Sequence, residues 1–229
     1  MIPLFLHALG WIIGAGVLGF AISAVFAGGL KLTRNRFLVA YVPLAGAFLC
    51  AFILLNEVDA LAILSNQWFL GVVMATLASI FLIRHVKSQP ATRQNSGTKL
   101  ILELGWAGLI YGLTDALFLN VMPVLAVWIW ASSLDWVGTI WGKIFAGVIG
   151  LFASLLVSLV YHLGYPEFRN KKVSTVLVGN SVITLAFLLS GNPLGSMLSH
   201  SVMHIAAVLQ GPETTLQLPP HYPKPSNPS

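Results

Sequence analysis

Residues 140–162 read IWGKIFAGVIGLFASLLVSLVYH, and this stretch decides the fold. Its only charged side chain is Lys143, near its start, and a histidine, His162, closes it. A helix needs about 20 mainly apolar residues to cross ~30 Å of hydrocarbon, so the stretch is long enough to span a bilayer. Six further apolar stretches are predicted, at about 4–28, 37–55, 62–83, 104–130, 173–190 and 194–210, the last of them short. Composition agrees. Hydrophobic residues make up 57% of the chain and charged residues 8%, whereas a soluble domain carries roughly 25% charged residues. The mean hydropathy of +0.85 leaves lipid as the solvent. The expected fold is therefore all-α, a polytopic membrane bundle of about seven transmembrane helices. The apolar run from Ile2 to Leu30 exceeds the ~7–15-residue core of a signal peptide and is expected to remain as the first span.

Charge orients this array. Lys31, Arg34 and Arg36 follow the first span, Arg84, Lys87, Arg93 and Lys99 the third, and Arg169, Lys171 and Lys172 the fifth, ten of the twelve basic residues. The alternate loops carry Glu57, Asp59 and Asp135, with Lys143 as the exception. The positive-inside rule then predicts a multi-pass protein of the cell membrane with its N-terminus outside and its C-terminus cytoplasmic. A net charge of +5 distributed in this way points to membrane loops rather than nucleic acid. The expected partner is the lipid bilayer.

The predicted organisation is one transmembrane domain over 1–211, with an N-terminal three-helix part, 1–87, and a C-terminal four-helix part, 100–211. A Pro-rich cytoplasmic tail, 212–229, follows. Gly14, Gly16 and Gly19 suit close helix approach, and Asn180 and Thr184 share a helix face from which they can donate across helices. The lone Cys50 excludes an internal disulfide and reads as a small buried hydrophobe.

The candidate site lies in the four-helix part. His200 and His204 are spaced i, i+4, which puts both imidazoles on one face of a helix, a spacing that can offer two nitrogens to one metal. Packing hydrogen bonds are the alternative reading of the pair, and an interfacial position beside Tyr161 and Tyr165 is the alternative for His162. An unpartnered Asp115 costs about 2.5–3.5 kcal/mol in a helix centre on insertion scales, so it requires a partner, and the histidines are available. Ionisable groups at such depth face a bundle interior, a cavity or a metal.

Taken in order, Thr114-Asp115-Ala116-Leu117-Phe118-Leu119, Ser158 through His162, and His200 through His204 resemble the three motifs of the CPBP family of intramembrane proteases, the CAAX-processing and bacteriocin-processing proteins. Those motifs are Glu-Glu-x-x-x-Arg, Phe-x-x-x-His and His-x-x-x-Asn/Asp. The resemblance covers roughly residues 104–210 and is strict only at His162 and His200. Thr114 stands where the family's water-activating glutamate would be, Leu119 replaces the arginine, Ser158 the phenylalanine and His204 the Asn/Asp. The resemblance implies a metal-dependent intramembrane hydrolase in which His162, His200 and His204 hold one divalent metal, zinc. Asp115 is then the catalytic base or a fourth ligand, and a membrane peptide or lipid-like molecule is the substrate. It also implies that Thr114→Glu would raise activity. The departures leave two other readings open: a non-catalytic scaffold or ligand-binding homologue, and a transporter or proton relay. At 1.5 Å per residue, straight helices would keep His162 and His200 at different depths.

Overall fold

The computed structural model describes residues 2–92, 95–211 and 217–219. Its first helix, α1 (Ile2–Ile22), runs into a π-helical turn, Ser23–Gly29, and is followed by α2 (Arg34–Leu55), α3 (Ala60–Ser65) and α4 (Trp68–Lys87). A long composite helix comes next: α5 (Gly97–Glu103), a π-helical segment (Leu104–Ile110), α6 (Tyr111–Asp115), a second π-helical segment (Ala116–Val121) and α7 (Met122–Ala131). Then come α8 (Ile140–Leu163), a 3-10 turn (Pro166–Phe168), α9 (Lys172–Ser190) and α10 (Leu194–Gln210). The described residues contain no strand, so the chain is an all-helical bundle.

Six helical stretches are long and apolar enough to cross a membrane, one fewer than the sequence suggests. The expected seventh does form, at Leu194–Gln210, but it has 17 residues, or roughly 25 Å of rise, short of the ~30 Å of a hydrocarbon core. Its surroundings explain why it can be short and polar. It packs against α4, Leu104–Ile110, α6 and α9, and it buries Ser196, Ser199, His200, Ser201 and His204 among them. The third expected span also changes: Gln67, in the left-handed region at φ 52°, breaks it into α3 and α4.

The composite helix is the centre of the bundle. Its most apolar window is 67% buried, against 28–39% for the other five spans. Glycines set how closely neighbours approach it. A Cβ on Gly112 would stand 2.7 Å from the Ser201 Cα, and one on Gly108 2.9 Å from the Ile205 side chain, so this small-x-x-x-small pair lets α10 lie directly against the central helix. In α1, a Cβ on Gly14 would meet Phe48 at 3.4 Å, and one on Gly19 would meet Phe118 and Tyr161 at 3.3 Å. These are the close contacts expected of those glycines.

The basic segments gather at one end. The Gln210 amide donates to the Gln89 carbonyl at 2.8 Å, Arg34 Nε to the Pro219 carbonyl at 3.0 Å, and Arg169 Nε to the Leu163 carbonyl at 2.9 Å. At the opposite end His7 meets Asn56 at 2.8 Å, and the Asn192 amide donates to the Leu64 carbonyl at 2.9 Å. Arg93 and most of the expected tail, 212–216 and 220–229, lie outside the described residues. One expectation needs correction. Cys50 is exposed on the outer face of α2, because the buried stripe of that helix runs through Phe37, Tyr41, Ala45, Leu49 and Phe52 instead. Tyr161 and Tyr165 are both buried within the bundle, with hydroxyls 2.6 Å apart.

Candidate metal centre

Asp115 ends α6 at the centre of the most buried helix and is itself 2% exposed. Its Oδ2 lies 3.9 Å from His200 Nε2 and 3.7 Å from His204 Nε2. The two imidazoles are one turn apart on α10 and stack with centroids 4.9 Å apart and planes within 12°. Asp115, His200 and His204 each offer a ligand atom, and these atoms lie within 4.8 Å of one another. The group can hold a metal ion. A tetrahedral ion with bonds of about 2.0–2.2 Å keeps its ligands roughly 3.4 Å apart, so the carboxylate and each imidazole would draw together by a few tenths of an ångström and the widest pair by up to about 1.4 Å.

The remaining bonds leave this face of the triad open. The Tyr41 hydroxyl, from α2, donates to Asp115 Oδ1, which turns Oδ2 toward the histidines. Asn120 Oδ1 meets His200 Nδ1 at 3.0 Å. Neither nitrogen of His204 makes a close hydrogen bond to a described residue, although both are buried; Asp115 Oδ2, at 3.7 Å, and the Gln217 main chain lie beside the ring, which packs against Tyr111 at 4.7 Å. A buried polar atom left so weakly bonded costs up to about 1–3 kcal/mol.

His162 does not join the triad. Its Nδ1 donates to the Ser158 carbonyl at 2.7 Å, a bond that fixes Nε2 as the free nitrogen of the neutral ring, and the ring sits edge-on to Phe168 at 5.2 Å. It lines the same cavity as the triad, together with Tyr111, Tyr165, Asn180 and Met203. The cavity leaves about 80 Å³ for the centres of water-sized molecules, room for several waters. It therefore bridges the two depths that straight helices impose. Gln217, Leu218 and Pro219 also line it, with Gln217 accepting from the Gln89 amide at 2.8 Å.

Thr114 is outside this cavity. Its hydroxyl donates to the Ile110 carbonyl at 2.9 Å on its own helix. Asp115 is the one carboxylate among the described lining residues. A glutamate at Thr114 would leave the helix about 100° away from Asp115, so the expected gain from Thr114→Glu loses its geometric basis.

Sequence reasoning missed Tyr41, Tyr111 and Asn120. Tyr41 lies 74 positions from Asp115 and belongs to the part of the chain read as separate from the site. Asn120 follows Asp115 by five residues, about 140° around an α-helix. The π-helical segment Ala116–Val121, whose hydrogen bonds run i→i+5, turns both toward α10. The Gly108-x-x-x-Gly112 spacing was the available signal for the close helix pair.

The chain matches no protein-family model, no curated protein and no solved structure. Its function is accordingly read from the geometry of this site.

Proposed function

We propose that this protein is an integral membrane, zinc-dependent hydrolase whose metal is held by Asp115, His200 and His204, acting on an amide or ester of a membrane peptide or lipid-like molecule. The observation that carries the reading is the convergence of one carboxylate oxygen and two imidazole nitrogens, all buried and within 4.8 Å of one another. Three protein ligands beside a cavity are the pattern of catalytic rather than structural zinc, which keeps a position open. Zinc bound there would supply Lewis acidity and a water of lowered pKa.

The chain's own groups suit that role. Tyr41 holds the carboxylate in place, and His162, whose Nε2 is left as the proton-accepting nitrogen by the bond to Ser158, lines the cavity. The Tyr111 and Tyr161 hydroxyls, 3.2 Å apart, continue the polar surface beside Tyr165. The membrane reading is supported by the six apolar helices. The gathering of basic residues at one end favours a cytoplasmic C-terminus in the cell membrane. Membership of the CPBP family belongs to the same proposal, and it rests on His162 and His200 in their motif positions.

One observation favours a second reading, a metal-binding scaffold without turnover. With Asp115 engaged as a ligand, no other carboxylate among the described lining residues remains to act as base. Elemental analysis of detergent-purified wild type and His200→Ala, with cleavage of quenched membrane peptides and lipid esters in proteoliposomes, separates the cases. One equivalent of zinc, lost in the variant, together with turnover supports the hydrolase. Zinc without turnover selects the scaffold, and a wild type that takes up no zinc when offered it overturns both.

A further inference from the structure

We infer that Asn120 fixes the tautomer of His200 and so aims the Nε2 lone pair of that ring at Asp115, which makes Asn120 a positioning residue of the metal centre. The inference rests on the metal reading above. It follows from tracing hydrogen bonds back to main-chain carbonyls, which only accept.

The Asn180 amide nitrogen donates to the Val176 carbonyl at 3.1 Å, so its Oδ1 is the atom turned toward Asn120. Asn120 must therefore present Nδ2 there, and it donates to Asn180 Oδ1 at 3.0 Å. Its second hydrogen goes to Thr184 Oγ1 at 2.9 Å. Thr184 can accept it because its own proton goes to Ser154 Oγ at 2.8 Å, and Ser154 in turn donates to the Leu119 carbonyl at 2.9 Å. Two independent carbonyl anchors thus hold the Asn120 amide in one orientation. The reverse orientation would set two amide oxygens against each other at 3.0 Å.

With both nitrogen hydrogens placed, Asn120 Oδ1 faces His200 Nδ1 at 3.0 Å, and that nitrogen carries the proton. Nε2 then bears the lone pair, and it faces Asp115 Oδ2 at 3.9 Å. Two acceptors pointed at each other in a buried site repel unless a proton or a metal cation stands between them. Histidine ligands commonly donate their second ring nitrogen in this way, and loss of such a partner costs about 10–100-fold in metal affinity.

The test uses full-length protein in detergent, with ring-nitrogen NMR of the metal-free form and titration with Zn²⁺ alone. His200, assigned by its disappearance in His200→Gln, is expected to be protonated at Nδ1 only. Asn120→Leu is expected to weaken Zn²⁺ binding about 10–100-fold. Asn120→Asp keeps an oxygen for the His200 Nδ1 proton while losing both donors, and is expected to stay within about threefold of wild type. A role confined to packing would injure both variants alike. Should Asn120→Leu fail to fold, the tautomer and Asn120→Asp carry the test. A proton on His200 Nε2 in metal-free wild type, or equal weakening by Asp and Leu, overturns the inference. A wild type that binds no Zn²⁺ but shows the Nδ1-protonated ring upholds the Asn120 assignment and removes the metal reading alone.

Discussion

Two buried polar clusters touch at His200 and differ in one respect, satisfaction. In the first, Asn120, Ser154, Asn180 and Thr184 place every side-chain donor on an acceptor, ending on the Val176 and Leu119 carbonyls. In the second, Asp115 Oδ2 faces His200 and His204 at 3.9 and 3.7 Å, and the His204 nitrogens make no close hydrogen bond to a described residue. Buried polar groups in native proteins are nearly always paired. A closed network rigidifies a core, whereas an open one beside a cavity has room for a ligand. The contrast separates a lock from a site within a single bundle.

The largest expected effect strikes the open cluster alone. Asp115→Asn and His204→Leu are each expected to lower Zn²⁺ affinity by about 100-fold or more, the share of one ligand in the ~10–16 kcal/mol of a structural zinc site. Metal-free His204→Leu should lose little thermal stability, because it removes buried nitrogens that make no close hydrogen bond to a described residue. Strong destabilisation of that metal-free variant would show that His204 belongs to the lock.

Gly112→Val comes next, and it should damage both clusters together. The added side chain meets the Ser201 main chain, and overpacking of this kind costs about 1–3 kcal/mol. Thermal unfolding in detergent and zinc content should fall together. Zinc uptake at wild-type affinity would mean that the close crossing of α10 and the central helix is not what assembles the triad.

Asn120→Leu should cost the metal-free protein about 1–2 kcal/mol, by stranding Asn180 and Thr184 without their donor. Adding Asn180→Leu should recover part of that loss, since residues in one network are not additive. Strict additivity in reversible unfolding would break the picture of a closed network.

Thr114→Glu is expected to do least. Thr114 bonds to Ile110 and faces away from the cavity, so zinc affinity and any turnover should stay within about twofold of wild type, well below the 10²–10⁴-fold of a placed general base. A large rise in turnover would restore the motif-based expectation for this position.

These outcomes also bear on what was legible beforehand. His200 and His204 could be paired from their spacing, because i, i+4 geometry belongs to any helix, and Asp115 demanded a partner on cost alone. Asn180 and Thr184 were readable as interhelical donors from their shared face. Toward Asn120, however, both accept, and that donor was hidden by a π-helical segment that rotates it through an angle an α-helix would not allow. Tyr41 was hidden by distance along the chain, since nothing in an apolar stripe tells which helix it will meet.

The sequence by itself determined the apolar helices and the alternation of charge between the loops that join them. Lipid admits only long apolar helices with their backbone bonds made internally, and loops on one side accumulate positive charge, so both properties are written residue by residue. Tertiary structure decided the membership of the site. It admitted Tyr41 and Asn120, moved His162 to the cavity wall and left Thr114 outside, because those outcomes depend on a glycine-permitted crossing of two helices and on local helix rotation. Both are properties of packed surfaces in contact, and composition, spacing and charge do not encode them separately.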